Sequence, residues 1–218
     1  MRDREYIAVS SWRLCVIVDV QHLRGRSPEE AARGAIAGGA TAIQLRDKVS
    51  SGAAFYQASV AVQSVCRGAG IPFIVNDRVD IAMAADADGA HVGQDDLPAP
   101  AARRLLGPDR ILGVSAGNVV HAARAEAAGA DYLGVGPIFE ARTTKPDAAP
   151  PIGLPGLSAI CRAVSLPVIA IGGINAANIR SVYNTGTVGA AVISAVLSAD
   201  DIAEATRKLM AEWKGSRR

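Results

Sequence analysis

Eight short, continuously apolar segments alternate with alanine-rich stretches along the chain, and this alternation constrains the fold more than any other feature. Segments that are apolar at every position are typical of parallel strands buried on both faces. Parallel strands need long crossover connections, and the alanine-rich stretches have the composition of helices. The predicted strands are Leu14–Val18, Thr41–Leu45, Phe73–Asn76, Gly89–Val92, Ile111–Ser115, Tyr132–Gly136, Pro167–Ile171 and Ala190–Ser194.

The helical stretches carry start and stop signals. Ser27 and Asn118 are suitable N-caps, and Gly39 and Gly129 follow the predicted ends of the same helices. Eight βα units in 218 residues predict a TIM barrel, a (β/α)8 fold, as a single domain over residues 1–218. An open doubly wound sheet is the alternative, but the first βα turn, VDVQHLRGRSP, lacks the G-x-G-x-x-G fingerprint of dinucleotide binding.

Charge and composition narrow the classes of partner. The chain has 23 lysines and arginines against 21 aspartates and glutamates. It therefore lacks the basic field that nucleic acids or anionic membranes require, and an anionic ligand needs a local cluster of cations. The absence of an apolar signal core, and of any apolar run near about 20 residues, predicts a cytoplasmic protein. Three separated cysteines are expected to be free thiols, and a homodimer is expected because such barrels often pair.

The stretch IQLRDK, Ile43 to Lys48, ends an apolar strand with two cations, an anion and an amide. A strand that simply reaches solvent would end in the same way. In a TIM barrel, however, the chemistry lies at the carboxyl ends of the strands. Polar or glycine-rich residues follow the other predicted strands too, which favours an active site at this face.

Two aspartates follow neighbouring predicted strands. Asp77 and Asp96 could supply hard oxygen ligands to Mg²⁺, which often completes its shell with water and substrate phosphate. The alternative is that each caps the helix that follows it. Arg46, Lys48 and Lys145 are then expected to converge on an anion, although a solvated position is the alternative for Lys145.

A second anion site is expected after strands seven and eight. Many TIM barrels bind a phosphate monoester there on backbone N–H groups, where glycines permit close approach. Gly172, Gly173 and Ser194 fit this pattern. Two anion sites and a metal predict two phosphorylated substrates.

The ordered motifs of the chain resemble those of the thiamine-phosphate synthases, also called thiamine-phosphate pyrophosphorylases. These motifs are QLRDK, VNDRVDIA, GAHVGQDDLP, LGVS, ADYLGVGPIF, TK, PVIAIGGI and VISAV. The combination is highly specific, and it runs from about Leu14 to the final helix. The resemblance implies a Mg²⁺-dependent transferase that joins 4-amino-2-methyl-5-(diphosphooxymethyl)pyrimidine to 4-methyl-5-(2-phosphoethyl)thiazole, or its carboxylated form. The products are thiamine phosphate and pyrophosphate.

The resemblance also implies roles for individual residues. In this family the pyrimidine methylene loses pyrophosphate with carbocation character before the thiazole nitrogen attacks, so no protein nucleophile is needed. The implied catalytic residues are Arg46, Lys48, Ser115 and Lys145, and the implied Mg²⁺ ligands are Asp77 and Asp96. The implied substrate contacts are Gln44, Arg46, Lys48, Asn76, Ser115, Thr143, Thr144, Lys145, Gly173, Ile193 and Ser194.

Two loops depart from the family pattern. Gly117 stands where a histidine is common, two residues after the serine of strand five. The sixth loop, PIFEARTTK, has one residue more than the usual PIFxTxTK, so the choice between Thr143 and Thr144 as the phosphate contact stays open. This loop is long and rich in proline, which is typical of a lid.

Two other functions are compatible with the fold. A thiazole tautomerase would share the barrel and the phosphate cradle, but it needs neither a metal nor a diphosphate clamp. The presence of Arg46, Lys48, Asp77 and Asp96 argues against it. A non-catalytic barrel that binds phosphate ligands is the other alternative, and only the two altered loops support it.

Three further residues near the strand ends have structural interpretations. His91, inside strand four, is predicted to be a packed and hydrogen-bonded core residue. Asp19 is expected either to support the site or to cap the turn after strand one. Asp47 is expected to orient the neighbouring cations.

Overall fold

The computed structural model describes residues 8–140 and 150–214, in which eight strands close into one barrel. Every strand pairs in parallel with the next, and the first pairs with the eighth. The predicted TIM barrel is therefore confirmed, and the open sheet is excluded. The strands are β1 (Leu14–Asp19), β2 (Ala42–Arg46), β3 (Phe73–Asn76), β4 (Gly89–Val92), β5 (Ile111–Ala116), β6 (Tyr132–Val135), β7 (Val168–Ile171) and β8 (Gly189–Val192).

Helices follow the strands, as the alanine-rich stretches predict. Ser27 and Glu30 form a reciprocal capping box at the start of the first helix, and Asn118 accepts a hydrogen bond from the His121 N–H at 2.8 Å. The described helices are α1 (Pro28–Ala37), α2 (Gly52–Ala69), α3 (Val79–Ala84), α4 (Ala99–Leu106), α5 (Val119–Ala127), α6 (Gly153–Ala163), α7 (Ile179–Tyr183), α8 (Ser194–Leu197) and α9 (Ile202–Lys214).

The observed strands begin and end within two residues of the predicted bounds. The largest difference is in β8, which ends at Val192, so that Ser194 begins helix α8 instead of ending the strand. The physical reason is that Ile193 leaves the extended conformation, with φ −119° and ψ −85°. Ser194 therefore lies at a strand-to-helix turn.

The barrel interior changes from apolar to polar along the strands. Its lower part is a cluster that includes Trp12, Ile17 and Ile74, and Trp12 is fully buried there. Because side chains alternate along a strand, residues two positions further on share the same inward face. Asp19 follows Ile17 and Asn76 follows Ile74 in this way, so the interior becomes polar at the carboxyl ends of the strands.

Two other sequence expectations concern the chain as a whole. Cys15, Cys66 and Cys161 are free thiols, as predicted, and burial raises the pKa of both Cys15 and Cys66 to about 12. Within residues 8–140 and 150–214, none of the helices combines the length and the apolar character needed to cross a membrane.

Candidate active site

Arg46 ends β2 and is held by Asp19, which lies directly opposite it at the end of β1. Arg46 Nη1 donates to Asp19 Oδ2 at 2.5 Å, and the Asp19 side chain is fully buried. Asp19 also accepts a hydrogen bond from the Gln21 N–H at 3.0 Å. The carboxylate thus caps the turn after β1 and supports the guanidinium, so both interpretations of Asp19 apply.

The expectation that Asp47 orients the neighbouring cations is wrong. Its Oδ1 accepts hydrogen bonds from the N–H groups of Val49 and Ser50, at 3.0 and 2.9 Å. Asp47 therefore stabilises the loop after β2, because it follows the strand and its carboxylate turns back onto the backbone. The carboxylate that orients Arg46 comes from β1.

Lys48 and the two predicted metal ligands form one cluster. Lys48 Nζ contacts Asp77 Oδ2 and lies 3.9 Å from Asp96 Oδ1. The carboxyl groups of Asp77 and Asp96 are hydrogen-bonded to each other. The Gly93 N–H holds Asp96 Oδ2 at 2.8 Å. Three separate loops therefore bring one cation and two acidic groups together.

The structure does not support the helix-cap alternative for these aspartates. The N-cap of α3 is Arg78, and that of α4 is Pro98, and neither helix start receives a side-chain cap. Asp77 adopts the left-handed conformation, with φ +63°, and its N–H donates to the His91 carbonyl at 2.7 Å. A non-glycine residue costs about 1 kcal/mol there, which is common at functional sites.

At pH values below the pKa of Asp77, the two carboxyl groups share a proton when no cation is bound. Burial and the hydrogen bond with Asp96 raise the pKa of Asp77 to about 6. Burial opposes ionisation of Asp96 too, but its bonds with Asp77 and the Gly93 N–H, and the Lys48 charge, hold its pKa below the usual value. The pair therefore titrates as a unit, with the proton on Asp77.

The donor set fits Mg²⁺. Two adjacent carboxylates, with side chains 16% and 23% exposed, offer hard oxygen ligands that remain accessible to a ligand. Among the described residues, three or more His, Cys, Asp or Glu side chains are nowhere grouped as a metal site. Water and substrate oxygens would therefore complete the shell.

Asp77→Asn is expected to stabilise the metal-free protein at pH 8 by about 1–3 kcal/mol, and to have little effect near pH 4. The folded-state pKa of Asp77 is raised to about 6, so the wild type loses this stability as the pH rises through that value. Asparagine mimics the protonated acid and tolerates a left-handed backbone. Urea unfolding at both pH values measures the effect. A less stable variant at pH 8 without Mg²⁺ would contradict the shared-proton description.

A chain of hydrogen bonds crosses the barrel interior below this cluster. His91 Nδ1 lies 3.0 Å from Tyr132 Oη, and His91 Nε2 lies 2.9 Å from Ser115 Oγ. Burial raises the pKa of the Tyr132 hydroxyl, and the side chain of Gln44 beside it acts in the opposite direction. Burial lowers the pKa of His91 to about 4, so its ring is neutral. We call these four residues the interior polar chain.

His91 has the packed, hydrogen-bonded environment that the sequence predicts, but it also contacts a predicted catalytic residue. The connection through Tyr132 to Gln44 was missed by sequence reasoning. The sequence does indicate that Tyr132 points into the barrel, because Tyr132 and Gly134 share the inward face of β6.

Backbone groups after β7 and β8 have the conformation and close packing expected of the predicted phosphate cradle. Gly172 and Gly173 both have positive φ, +100° and +66°. A Cβ at Gly173 would lie 2.6 Å from the Glu140 carbonyl oxygen. Both the conformation and the close approach of the sixth loop therefore require glycine. Among the described residues, no protein acceptor takes a hydrogen bond from the N–H groups of Gly173 or Ser194.

The first βα loop supports this cradle, which sequence reasoning did not predict. Arg26 donates to the carbonyls of Leu197 and Ala199, at 3.0 and 2.5 Å, and so holds the end of α8. Arg24 donates to the neighbouring Ser198 carbonyl at 2.5 Å. These hydrogen bonds connect α8, the short helix that begins at Ser194, to the loop that follows β1.

The remaining residues predicted from the sequence for the site lie in different places. Asn76 ends β3 beside His91, half-buried at the barrel mouth. Gly117 follows β5 and leaves open space near the Gly136 carbonyl. Thr143, Thr144, Lys145 and the lid expected in the sixth loop lie within residues 141–149, outside the described residues.

A closed βα barrel with a cation, paired carboxyl groups and closely approached glycines at its carboxyl-terminal mouth has the arrangement of an enzyme active site. The family model described as thiamine monophosphate synthase matches residues 14–196. The chain belongs to that family of transferases in thiamine biosynthesis.

Individual relatives agree with this assignment. The chain is 54% identical to thiamine-phosphate synthase of Chloroflexus aurantiacus over 203 residues, which is 93% of each chain. It is 54% identical to that of Moorella thermoacetica over 198 residues, 91% of this chain and 94% of the relative. The solved thiamine phosphate pyrophosphorylase from Pyrococcus furiosus has a TM-score of 0.88 at 39% identity, covering 96% of this chain and 99% of that one.

Proposed function

We propose that this enzyme joins 4-amino-2-methyl-5-(diphosphooxymethyl)pyrimidine to 4-methyl-5-(2-phosphoethyl)thiazole, or its carboxylated form, to give thiamine phosphate and pyrophosphate. The observation that carries the proposal is the cluster of Lys48, Asp77 and Asp96 at the same barrel mouth as Arg46 and the glycines after β7. A thiazole tautomerase has no use for such a clamp, and the curated relatives are named as synthases.

The residues of the clamp serve the departure of pyrophosphate. Asp77 and Asp96 would hold Mg²⁺, which neutralises charge on the diphosphate. Lys48, beside both carboxylates, and Arg46, fixed by Asp19, would bind the remaining phosphate oxygens. Because Arg46 is held by the buried Asp19, its guanidinium needs little reorganisation as charge develops on the leaving group.

The reaction needs no protein nucleophile. Loss of pyrophosphate leaves a carbocation-like methylene, and the thiazole nitrogen attacks it. Ser115 and Lys145 would hold the departing diphosphate, while Gln44 and Asn76 would orient the pyrimidine. Gly173, Ile193 and Ser194, with Thr143 or Thr144, would hold the thiazole phosphate and align the two rings.

Arg26→Gln is expected to raise KM for the thiazole phosphate about tenfold, with little change in KM for the pyrimidine diphosphate. The guanidinium bonds to two carbonyls at the end of α8, and charged bonds of this kind contribute about 1.5–3 kcal/mol. Their loss loosens the turn at Ser194. Steady-state kinetics with each substrate varied in turn measure the effect.

Arg33→Gln is the matched control, because Arg33 lies in the same βα unit but donates to the exposed Glu29 side chain instead of to α8. It should change either KM less than twofold. Equal increases in both KM values for Arg26→Gln would instead indicate a general loss of barrel structure.

Calorimetric binding of each substrate alone separates the proposed function from its alternatives. The synthase should bind the pyrimidine diphosphate with Mg²⁺ and bind it much more weakly with EDTA, and it should bind the thiazole phosphate under both conditions. A tautomerase would bind only the thiazole phosphate. Binding of both substrates without turnover would identify a non-catalytic barrel. The expected homodimer and cytoplasmic location belong to the same proposal.

A further inference from the structure

The interior polar chain has two possible arrangements of its protons, because a neutral imidazole has one donor nitrogen and one acceptor nitrogen. In the first, His91 Nε2–H donates to Ser115, and Nδ1 accepts from the Tyr132 hydroxyl. The Gln44 amide N–H, which acts to lower the pKa of Tyr132, then faces the phenolic oxygen. The Ser115 hydroxyl and the Gln44 side-chain oxygen are left to face a ligand, the former as a donor and the latter as an acceptor.

The second arrangement reverses each bond. His91 Nδ1–H donates to Tyr132, Tyr132 donates to the Gln44 oxygen, and Ser115 donates to Nε2. The serine then offers a ligand only lone pairs, and Gln44 offers only N–H groups. The hydrogen-bonding roles of Gln44 and Ser115, at the two ends of the interior polar chain, therefore switch together. The two residues lie on different strands, β2 and β5.

Chemistry favours the first arrangement. A phenol is a better donor and a poorer acceptor than an aliphatic alcohol, because its oxygen lone pair is delocalised into the ring. Tyr132 is therefore the better donor to the imidazole, and Ser115 is the better acceptor from it. An anionic diphosphate at Ser115 acts in the same direction, because it accepts hydrogen bonds and repels lone pairs.

We propose that Tyr132 is a positioning residue that holds His91 as the Nε2–H tautomer, so that Ser115 donates to the diphosphate while Gln44 accepts from the amino group of the pyrimidine. The proposal rests on the proposed function for the identity of these two ligand groups. Tyr132 acts through His91 and Gln44, and it is 3% exposed below the mouth.

The barrel is built around this pair of rings. A Cβ at Gly113 would lie 2.3 Å from Tyr132 Cζ and 2.4 Å from His91 Nδ1. A Cβ at Gly134 would lie 2.7 Å from His91 Cε1. Neither glycine has a positive φ, so the backbone does not require glycine at these positions. The space that they leave fixes the imidazole between Tyr132 and Ser115.

The direct test is the tautomer of His91 in the full-length protein labelled with ¹⁵N-histidine. Two-bond ¹H–¹⁵N spectra distinguish a protonated from an unprotonated ring nitrogen, and the chain has only 3 histidines. His22→Gln and His121→Gln assign the other two. We expect the Nε2–H tautomer, both without ligand and with Mg²⁺ and inorganic pyrophosphate. The Nδ1–H tautomer or an imidazolium in the pyrophosphate complex at neutral pH would overturn the proposal.

Tyr132→Phe tests which residue sets the tautomer. Removal of the hydroxyl should give a mixture of both tautomers and weaken the binding of Mg²⁺ and pyrophosphate about fivefold to tenfold. Tyr183→Phe, the same change in the outer helix layer against Trp213, should alter neither. A pure Nε2–H tautomer in Tyr132→Phe would show that Tyr132 does not set it, whatever the affinity.

The tautomer of His91 and the proposed reaction can be tested independently of each other. Wild-type protein with the Nε2–H tautomer and tight pyrophosphate binding, but without product formation, would support this inference and remove the proposed reaction. An active enzyme with the Nδ1–H tautomer would remove this inference alone.

Discussion

Asp96→Asn is expected to lower kcat about 10²–10³-fold at saturating substrates and Mg²⁺. The free energy of unfolding should stay within about 1 kcal/mol of the wild type, a typical change for a substitution of similar shape. Asparagine keeps the volume and the oxygen that accepts the Gly93 N–H. It loses the negative charge that a cation needs beside Asp77. A shift of the Mg²⁺ dependence to higher concentration should accompany the loss of rate.

Asp95→Asn is the matched control, because Asp95 is the preceding carboxylate in the same loop and is exposed. It should keep wild-type kcat and Mg²⁺ dependence. Normal turnover in Asp96→Asn, together with a large loss of stability, would show that Asp96 has a purely structural role.

Arg46→Met is expected to reduce the free energy of unfolding by about 3–5 kcal/mol at pH 7, in addition to abolishing the anion clamp. The cause is Asp19, whose side chain is fully buried and pairs with Arg46 Nη1 at 2.5 Å. Without the guanidinium, this carboxylate loses its neutralising partner in the barrel interior. Chemical denaturation of the two proteins measures the difference.

The double variant Asp19→Asn with Arg46→Met should recover most of this stability and none of the activity, because the unpaired buried charge is gone but the clamp is still missing. Arg33→Met is a control for an exposed ion pair, since Arg33 and Glu29 are 63% and 42% exposed. It should cost less than about 1 kcal/mol. A double variant as unstable as Arg46→Met would contradict the account of Asp19.

The barrel was predictable because its signal is repeated and local. Each strand is a short apolar run, and each is followed by polar or glycine residues at the same end. The clustering of Lys48 with Asp77 and Asp96 follows from that rule alone, since the carboxyl ends of parallel strands meet at one face.

The partners of individual side chains were not predictable in the same way. The pairing of Arg46 with Asp19 depends on the register of β1 and β2, which places these residues opposite each other. A continuously apolar pattern does not specify that register. From the sequence, Asp47 is therefore expected to orient the cations because it is their neighbour in the chain, while the support that Asp19 could give is not assigned to Arg46.

The interior polar chain illustrates a second limit of prediction from the sequence. His91 was correctly expected to be buried and hydrogen-bonded, but its partners lie on β5 and β6, 24 and 41 residues away. Only the closed barrel brings these strands close enough for one imidazole to contact both hydroxyl groups. The glycines at 113 and 134 were visible in the sequence, yet their steric role depends on where the His91 ring lies.

The measurement that tests the central claim most directly is simultaneous assay of pyrophosphate and thiamine phosphate after mixing the wild-type protein with both substrates, with Mg²⁺ or with EDTA. The account predicts equal amounts of the two products with Mg²⁺ and a large loss of both with EDTA. The absence of thiamine phosphate under conditions in which both substrates bind would contradict it.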